Sequence, residues 1–139
     1  MPGGLTPKPS PETARYWTAA AEGRLELPYC EACARFSFPP TGDCERCGEP
    51  DREWRALSGD ARLVSYVINY RPLPPAEPVP QVIALVELAE GVRMLSNVLI
   101  DDPVPARLPL DAALRVCFEV RGEGDKALSV PVFRIVEEQ

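Results

Sequence analysis

Cys30 to Gly48 reads CEACARFSFPPTGDCERCG, and the rest of the chain is organised around it. Two Cys-x-x-Cys pairs, Cys30/Cys33 and Cys44/Cys47, stand ten residues apart. Each pair has the length of a tight turn that aims two sulfurs at one point. Four thiolates converging in this way make a tetrahedral site whose usual occupant is zinc. One such pair also occurs in redox-active or buried thiols, but two pairs this close are specific to metal binding. With all four positions on the ion taken by protein, the site organises backbone and leaves no place to activate water. A rubredoxin-type iron centre uses the same four sulfurs, so the spacing leaves iron open. The stretch is too short to bury a core, and the metal takes its place.

Strand-like segments lead into and out of this unit. Leu25 to Tyr29 alternates and delivers the chain to the first pair, and Ala34 to Phe38 alternates again with Phe36 and Phe38 on one side. Pro39-Pro40 and Thr41-Gly42 turn it back, and Glu53 to Leu57, carrying Trp54, leaves the unit for a hinge at Ser58-Gly59-Asp60. That is the layout of a zinc ribbon. Upstream, Met1 to Pro9 is Pro/Gly-rich and reads as a tail or linker. Ser10 suits an N-cap, Pro11 the first helical position and Glu12 the positive end of the dipole. A helix to about Ala21, stopping near Gly23, is expected, with Ala14, Trp17 and Ala21 on one face and Tyr16 and Ala20 beside them.

From Ala61 the pattern changes to five longer β-rich runs: Leu63 to Tyr70, Gln81 to Leu88, Val92 to Leu99, Ala113 to Val120 and Ala127 to Val136. Ala89-Glu90-Gly91 and Arg121 to Asp125 are hairpin-length turns. Five antiparallel strands in succession suit a small closed barrel, of which the OB-fold is the commonest, with a sandwich or SH3-like barrel as the other patterns. The expected fold is therefore mainly β: a tail and helix over 1–23, a four-cysteine ribbon over 24–58 and a five-stranded OB barrel over 59–139. Two long connections interrupt the barrel. Arg71 to Pro80 holds five prolines in ten residues and is stiff, and Ile100 to Leu110 mixes prolines with apolar residues. Such loops lose little entropy when gripped by a partner. Cys117, inside a strand between Val116 and Phe118, reads as an inert core thiol.

Composition narrows the chemistry. The chain has no histidine, which removes Ser-His-Asp and Cys-His machinery and mixed Cys/His metal sites. Its two lysines, Lys8 and Lys126, stand in a tail and a turn, away from any apolar pocket suited to Schiff-base chemistry. No catalytic residue is expected. The formal charge of −6, about −8 with a tetrathiolate centre, and scattered basic residues disfavour nucleic acid, which needs clustered Lys and Arg. No apolar run approaches the ~20 residues that span a bilayer, and no charged-then-apolar leader opens the chain, so a cytoplasmic protein without a membrane partner is expected. Metal-ligand cysteine spacing fits that reducing compartment.

The order of features resembles a known family. An E-G-R-L turn after the helix (Glu22 to Leu25), F-P-P between the knuckles (Phe38, Pro39, Pro40), the exit through Trp54, Ser58 and Gly59, a V-x-L-x-E-G hairpin (Val86, Leu88, Glu90, Gly91) and a closing P-V-F (Pro131 to Phe133) are similar to the acyl-CoA-associated OB-fold proteins. In three places the chain departs from the family pattern. Ala34 replaces a common glycine after the first pair, Asp60-Ala61 replaces a glycine-containing exit, and Asp111 stands near a glycine that often precedes the fourth barrel strand. The resemblance implies a rubredoxin-like ribbon before an OB barrel, with zinc held by Cys30, Cys33, Cys44 and Cys47. It also implies a companion of thiolase-fold or hydratase-fold acyl-CoA enzymes, with some members forming the C-terminal domain of a larger hydratase-like chain; the leading expectation is an accessory subunit that completes a thiolase-fold enzyme, such as the retro-aldolases that shorten steroid side chains in bacteria. Acyl-CoA at the shared interface belongs to that expectation, and Arg62, Arg71, Arg93 and Arg107 are candidates to reach its phosphates. Two other classes remain open at this stage. One is a single-stranded nucleic-acid module using Tyr66, Tyr70, Phe118 and Phe133 as stacking residues, and the other is an iron-loaded electron-transfer ribbon.

Overall fold

The computed structural model describes residues 7–40, 43–50, 52–71 and 80–136. The Thr41-Gly42 turn, most of the N-terminal tail and the body of the Arg71 to Pro80 connection lie outside them. One helix, α1 (Ala14–Ala21), precedes eight strands: β1 (Glu26–Cys30), β2 (Arg35–Phe36), β3 (Glu53–Ala56), β4 (Asp60–Asn69), β5 (Gln81–Leu88), β6 (Arg93–Val98), β7 (Ala113–Arg121) and β8 (Leu128–Ile135). The first three form a small antiparallel sheet in the order β2-β1-β3, and the last five close into a barrel in the order β4-β5-β6-β8-β7.

The helix starts later than Ser10 suggests. The Ser10 carbonyl accepts the Thr13 amide at 3.0 Å, and the Thr13 hydroxyl accepts the Ser10 amide at 2.9 Å. Thr13 thus occupies the N-cap position with its oxygen turned backward, and it caps no helical amide. Its buried face also differs from the expected one. Tyr16, Ala19 and Ala20 are buried, Trp17 is half-buried, and Ala14 and Ala21 face solvent. The stripe follows Tyr16, whose large ring sets the face that docks on β1 and β8. At the other end the Gly23 and Arg24 amides fold back onto the Ala20 and Ala19 carbonyls, with Gly23 at φ +80°, so the expected stop is where the helix ends.

Barrel strands alternate as half-buried strands must. Val82, Ala84, Val86 and Leu88 of β5 point inward to meet Leu63, Met94, Val98, Leu114 and Phe133. Four of the five neighbour pairs are antiparallel, but β6 and β8 run parallel, in register at Val98 and Phe133. This corrects the expectation of five antiparallel strands, and the reason is parity. Directions that alternate around a ring of five cannot close, so one pair must be parallel, and the arrangement is the OB topology. The Ile100 to Leu110 connection spends part of its apolar content internally, placing Leu108 in the core while Val104 and Leu110 stay exposed. One hydrophobic cluster runs from Tyr16, Leu25, Leu27 and Leu57 beneath the ribbon into the barrel interior. The joint is reinforced where the Ser58 amide donates to Glu90 at 2.9 Å and the Ala89 amide to the Asp60 carbonyl at 2.8 Å.

Beside the helix, Glu26 is 8% exposed and takes hydrogen bonds from Arg15 and Arg24, both at 3.1 Å. Burial alone would raise its pKa, but the two guanidinium groups outweigh it and hold the carboxyl below its usual range. A carboxyl depressed in the folded state contributes stability that is present above its unfolded pKa and lost as pH falls through the folded one. Glu26→Gln is therefore expected to lower stability at neutral pH by about 1–2 kcal/mol, with the wild-type and variant unfolding midpoints converging as pH falls below about 4. Denaturant titrations across pH 2–7 check this; a gap that stays constant with pH would show that the pair carries no charge-dependent stability.

Candidate metal centre

The two knuckles are built alike. After the first pair the chain turns through Ala34 at φ +53°, and after the second through Gly48 at φ +77°. The second knuckle is tightened by the Gly48 amide on the Cys44 carbonyl at 2.8 Å and the Cys44 amide on the Glu49 carbonyl at 3.0 Å. These turns bring Cys30, Cys33, Cys44 and Cys47 together with their four sulfurs within 4.8 Å of one another. The Sγ atoms of Cys30 and Cys47 are 3.6 Å apart and those of Cys44 and Cys33 3.9 Å. Sulfurs at about 2.3 Å around a tetrahedral ion stand about 3.8 Å apart, so these two pairs have the spacing of such a metal site.

Cys30 and Cys44 are buried, Cys33 is half-buried and Cys47 is exposed. Backbone amides of Cys47 and Arg46 pull the Cys44 thiol down to about 6. The hydrogen bond to Cys47, followed by burial, pushes Cys33 up to about 12. Four thiolates so close repel one another, and a divalent cation is what allows all four to ionise together. Around them Arg52, 8% exposed, donates to the Ser37 hydroxyl at 2.6 Å and the Asp43 carbonyl at 3.0 Å, bracing the strand after the first knuckle against the approach to the second. Sequence reading missed Arg52, because an arginine flanked by charged residues carries no burial signal of its own.

The first knuckle contains a strained substitution. A left-handed conformation costs an L-residue roughly 1–2 kcal/mol that glycine does not incur, and alanine has no polar side chain to recover it. Ala34→Gly is expected to raise unfolding stability by about 1 kcal/mol with metal stoichiometry unchanged, as thermal unfolding and elemental analysis would report. A lower midpoint would mean that the methyl group packs usefully. Asp111, at φ +66°, is the barrel's counterpart, and it recovers part of the cost by pairing with Arg62.

Of the four candidate arginines, Arg62 and Arg93 meet on one carboxylate, and Arg107 and Arg71 stand elsewhere. Arg62 bonds Glu87 at 3.0 Å and Asp111, and Arg93 bonds the other Glu87 oxygen at 3.0 Å. These arginines, Arg93 first, hold the Glu87 carboxyl below its usual range. Arg107 lies on a short 3-10 turn, Pro105–Arg107, where it lines a cleft of about 630 Å³ with Leu99, Ile100, Asp101, Arg134 and Ile135. Arg71 is exposed at the border of the described residues. The stacking candidates are largely committed to packing. Phe133 is fully buried and Tyr66 and Phe118 pack against the core, leaving Tyr70 at 66% exposed. Cys117 sits half-buried opposite Val132, on the face of β7 turned away from the Val116–Phe133 interior, so it is not in the barrel core. Burial pushes its thiol up, which leaves it protonated and unreactive at neutral pH. No helix among the described residues is long and apolar enough to cross a membrane.

Comparison with known proteins agrees with this geometry. Residues 17–52 match the ChsH2 rubredoxin-like zinc ribbon domain and residues 54–119 the ChsH2 C-terminal OB-fold domain. The chain is 33% identical, over 96% of its length, to a probable enoyl-CoA hydratase alpha subunit of Thermomonospora curvata, of which it covers 41%. It is 31% identical, over 82% of its length, to the 3-oxo-4,17-pregnadiene-20-carboxyl-CoA hydratase alpha subunit of Mycobacterium tuberculosis, of which it covers 36%. The chain thus spans about two fifths of the length of these relatives. Among solved structures, a chain of an Ltp2-ChsH2(DUF35) aldolase superposes with a TM-score of 0.74 at 30% identity, covering 93% of this chain and 98% of that one.

Proposed function

The chain belongs to the ChsH2 (DUF35) family of zinc-ribbon and OB-fold proteins, and from that premise we propose that it is an accessory, noncatalytic subunit of an acyl-CoA enzyme. Its partner in this reading is a thiolase-fold retro-aldolase acting on a steroid side-chain thioester. The observation that carries the proposal is the nature of the site. Among the described residues the constellation of convergent reactive side chains is the four-sulfur cluster, closed by its own ligands, and the sequence holds no histidine to serve as acid or base. A chain whose described constellation is a structural centre of this kind would contribute through shape and contact.

Two lines of support come from the relatives. One names a coenzyme A thioester of a pregnadiene carboxylic acid as substrate, and the solved structure at 30% identity bears the name of an aldolase with Ltp2. Cys30, Cys33, Cys44 and Cys47 would hold zinc, which supplies rigidity to both knuckles. Iron would serve the same geometry, and its colour distinguishes it. The test is to express the thiolase-fold enzyme alone and together with this chain, and to assay retro-aldol cleavage of a steroid acyl-CoA. Activity that needs both chains supports the companion reading; a fully active, soluble enzyme on its own refutes it.

A further inference from the structure

The barrel exterior carries an apolar face that the described residues leave exposed. On β5 the residues between Val82, Ala84 and Val86 point away from the core, and strand register places their neighbours beside them. Val67 is opposite Ile83, Ile83 opposite Asn97, Ser65 opposite Leu85, and Leu85 opposite Leu95. Directly opposed residues share a face, so Val67, Ile83, Leu85 and Leu95 form one patch across three strands. Val67 is 61% and Leu95 63% exposed. The sequence of β5, Gln81 to Leu88, is apolar on both faces in its central part, the pattern of a strand covered on both sides. Here one covering is the core, and among the described residues nothing supplies the other.

The border of this patch restricts what can cover it. At one end Arg62, Glu87, Arg93 and Asp111 close an ion cluster on themselves, two charges of each sign, leaving no net charge for a partner to answer. At the other, Asn69, Gln81 and Asn97 are uncharged, and buried Arg121, which donates to Asn97 at 2.8 Å, is balanced by Glu119 at 2.9 Å. An apolar centre within a polar rim is the anatomy of a protein interface. A nucleic acid finds no cation at its centre, and a second copy of a chain of formal charge −6 meets like-charge repulsion.

We propose that the outer face of β4, β5 and β6 docks an apolar, uncharged surface of the partner enzyme, with Leu95 and Val67 at its centre. This rests on the companion reading above and assigns its contact surface, in place of the exposed tip of the Ile100 to Leu110 connection. The test is calorimetric titration of the thiolase-fold enzyme with the full chain and with Leu95→Asp, Val67→Asp and Leu110→Asp. The first two are expected to weaken Kd by roughly 100-fold or more with unchanged thermal midpoints, and Leu110→Asp to bind as wild type. Leu95→Ser, milder toward folding, should show the same direction. Wild-type binding that survives Leu95→Asp and Val67→Asp overturns this assignment and leaves the companion reading intact. Absence of any wild-type binding overturns both. A homodimer of the isolated chain that Leu95→Asp converts to monomer overturns it in favour of self-association.

Discussion

Cys30→Ser is expected to remove the metal and, with it, the order of the ribbon. Structural zinc sites contribute about 10–16 kcal/mol of apparent binding free energy in ribbon-sized peptides, and a serine hydroxyl is a poor replacement for a buried thiolate. Its own sheet among the described residues is three short strands, β2 being two residues long, and apart from the sulfurs and the Arg52 bonds nothing described there ties the two knuckles directly to each other. Elemental analysis should fall from about one ion per chain to background, and protease should cut between the knuckles. Leu63, Val86, Leu114 and Phe133 lie at the barrel end of the shared hydrophobic cluster, away from the sulfurs, so hydrogen exchange in β5 should remain protected while that in β1 is lost. Cys44→Ser, also at a buried ligand, should behave alike. Full zinc content with unchanged protease resistance in either variant would contradict the role assigned to the cluster.

Gly59→Ala has the next largest expected effect, and it acts at the joint between ribbon and barrel. Gly59 has φ +87°, which an alanine adopts at a cost of roughly 1–2 kcal/mol. A Cβ there would lie 2.4 Å from Val116 Cγ1, inside any allowed contact. Val116 is β-branched and stiff at χ1, so it cannot swing aside without moving the backbone. Its amide also donates to the Gly59 carbonyl at 2.9 Å, and separating the strands to relieve the clash would stretch that bond. Overpacking of this kind adds about 1–3 kcal/mol, for a total of about 2–5 kcal/mol. In a chain of this length that lowers the thermal midpoint by roughly 10 °C. A Gly59→Ala/Val116→Ala double variant should recover the steric part and keep the conformational part, giving a measurable coupling between the two sites. Additive losses would mean that the two side chains do not meet.

Much of this arrangement is legible in the residues, for physical reasons that differ from element to element. The cluster could be read because metal coordination fixes residue type and spacing together. The barrel strands could be read because they are β-rich runs bounded by turn residues, β5 burying every second residue, although β8 buries Val130 to Phe133 in a row. Two of the three departures from the family pattern, Ala34 and Asp111, fall at positive φ, where glycine has an advantage that the sequence alone does not display. The third leaves Gly59 in place at φ +87°, immediately before the changed exit. What could not be read was set by long-range closure. The parallel β6–β8 pair follows from an odd ring and not from either strand's composition. Leu108 is buried because the barrel leaves room for it, although its loop looks like the exposed one. The helix face was misjudged because alanines are too small to reveal which side is covered, and Tyr16 decides it. The outward Ile83 and Leu85 stand in the apolar run Val82 to Val86, but only register shows that they adjoin Val67 and Leu95.

The most direct measurement is the mass of the species formed when this chain and the thiolase-fold enzyme proposed as its partner are co-expressed and passed through size-exclusion chromatography with light scattering. The proposed companion role predicts that the two co-elute as one hetero-oligomer of fixed stoichiometry. Separate elution of the two chains at their individual masses, at concentrations where the enzyme is active, would contradict it.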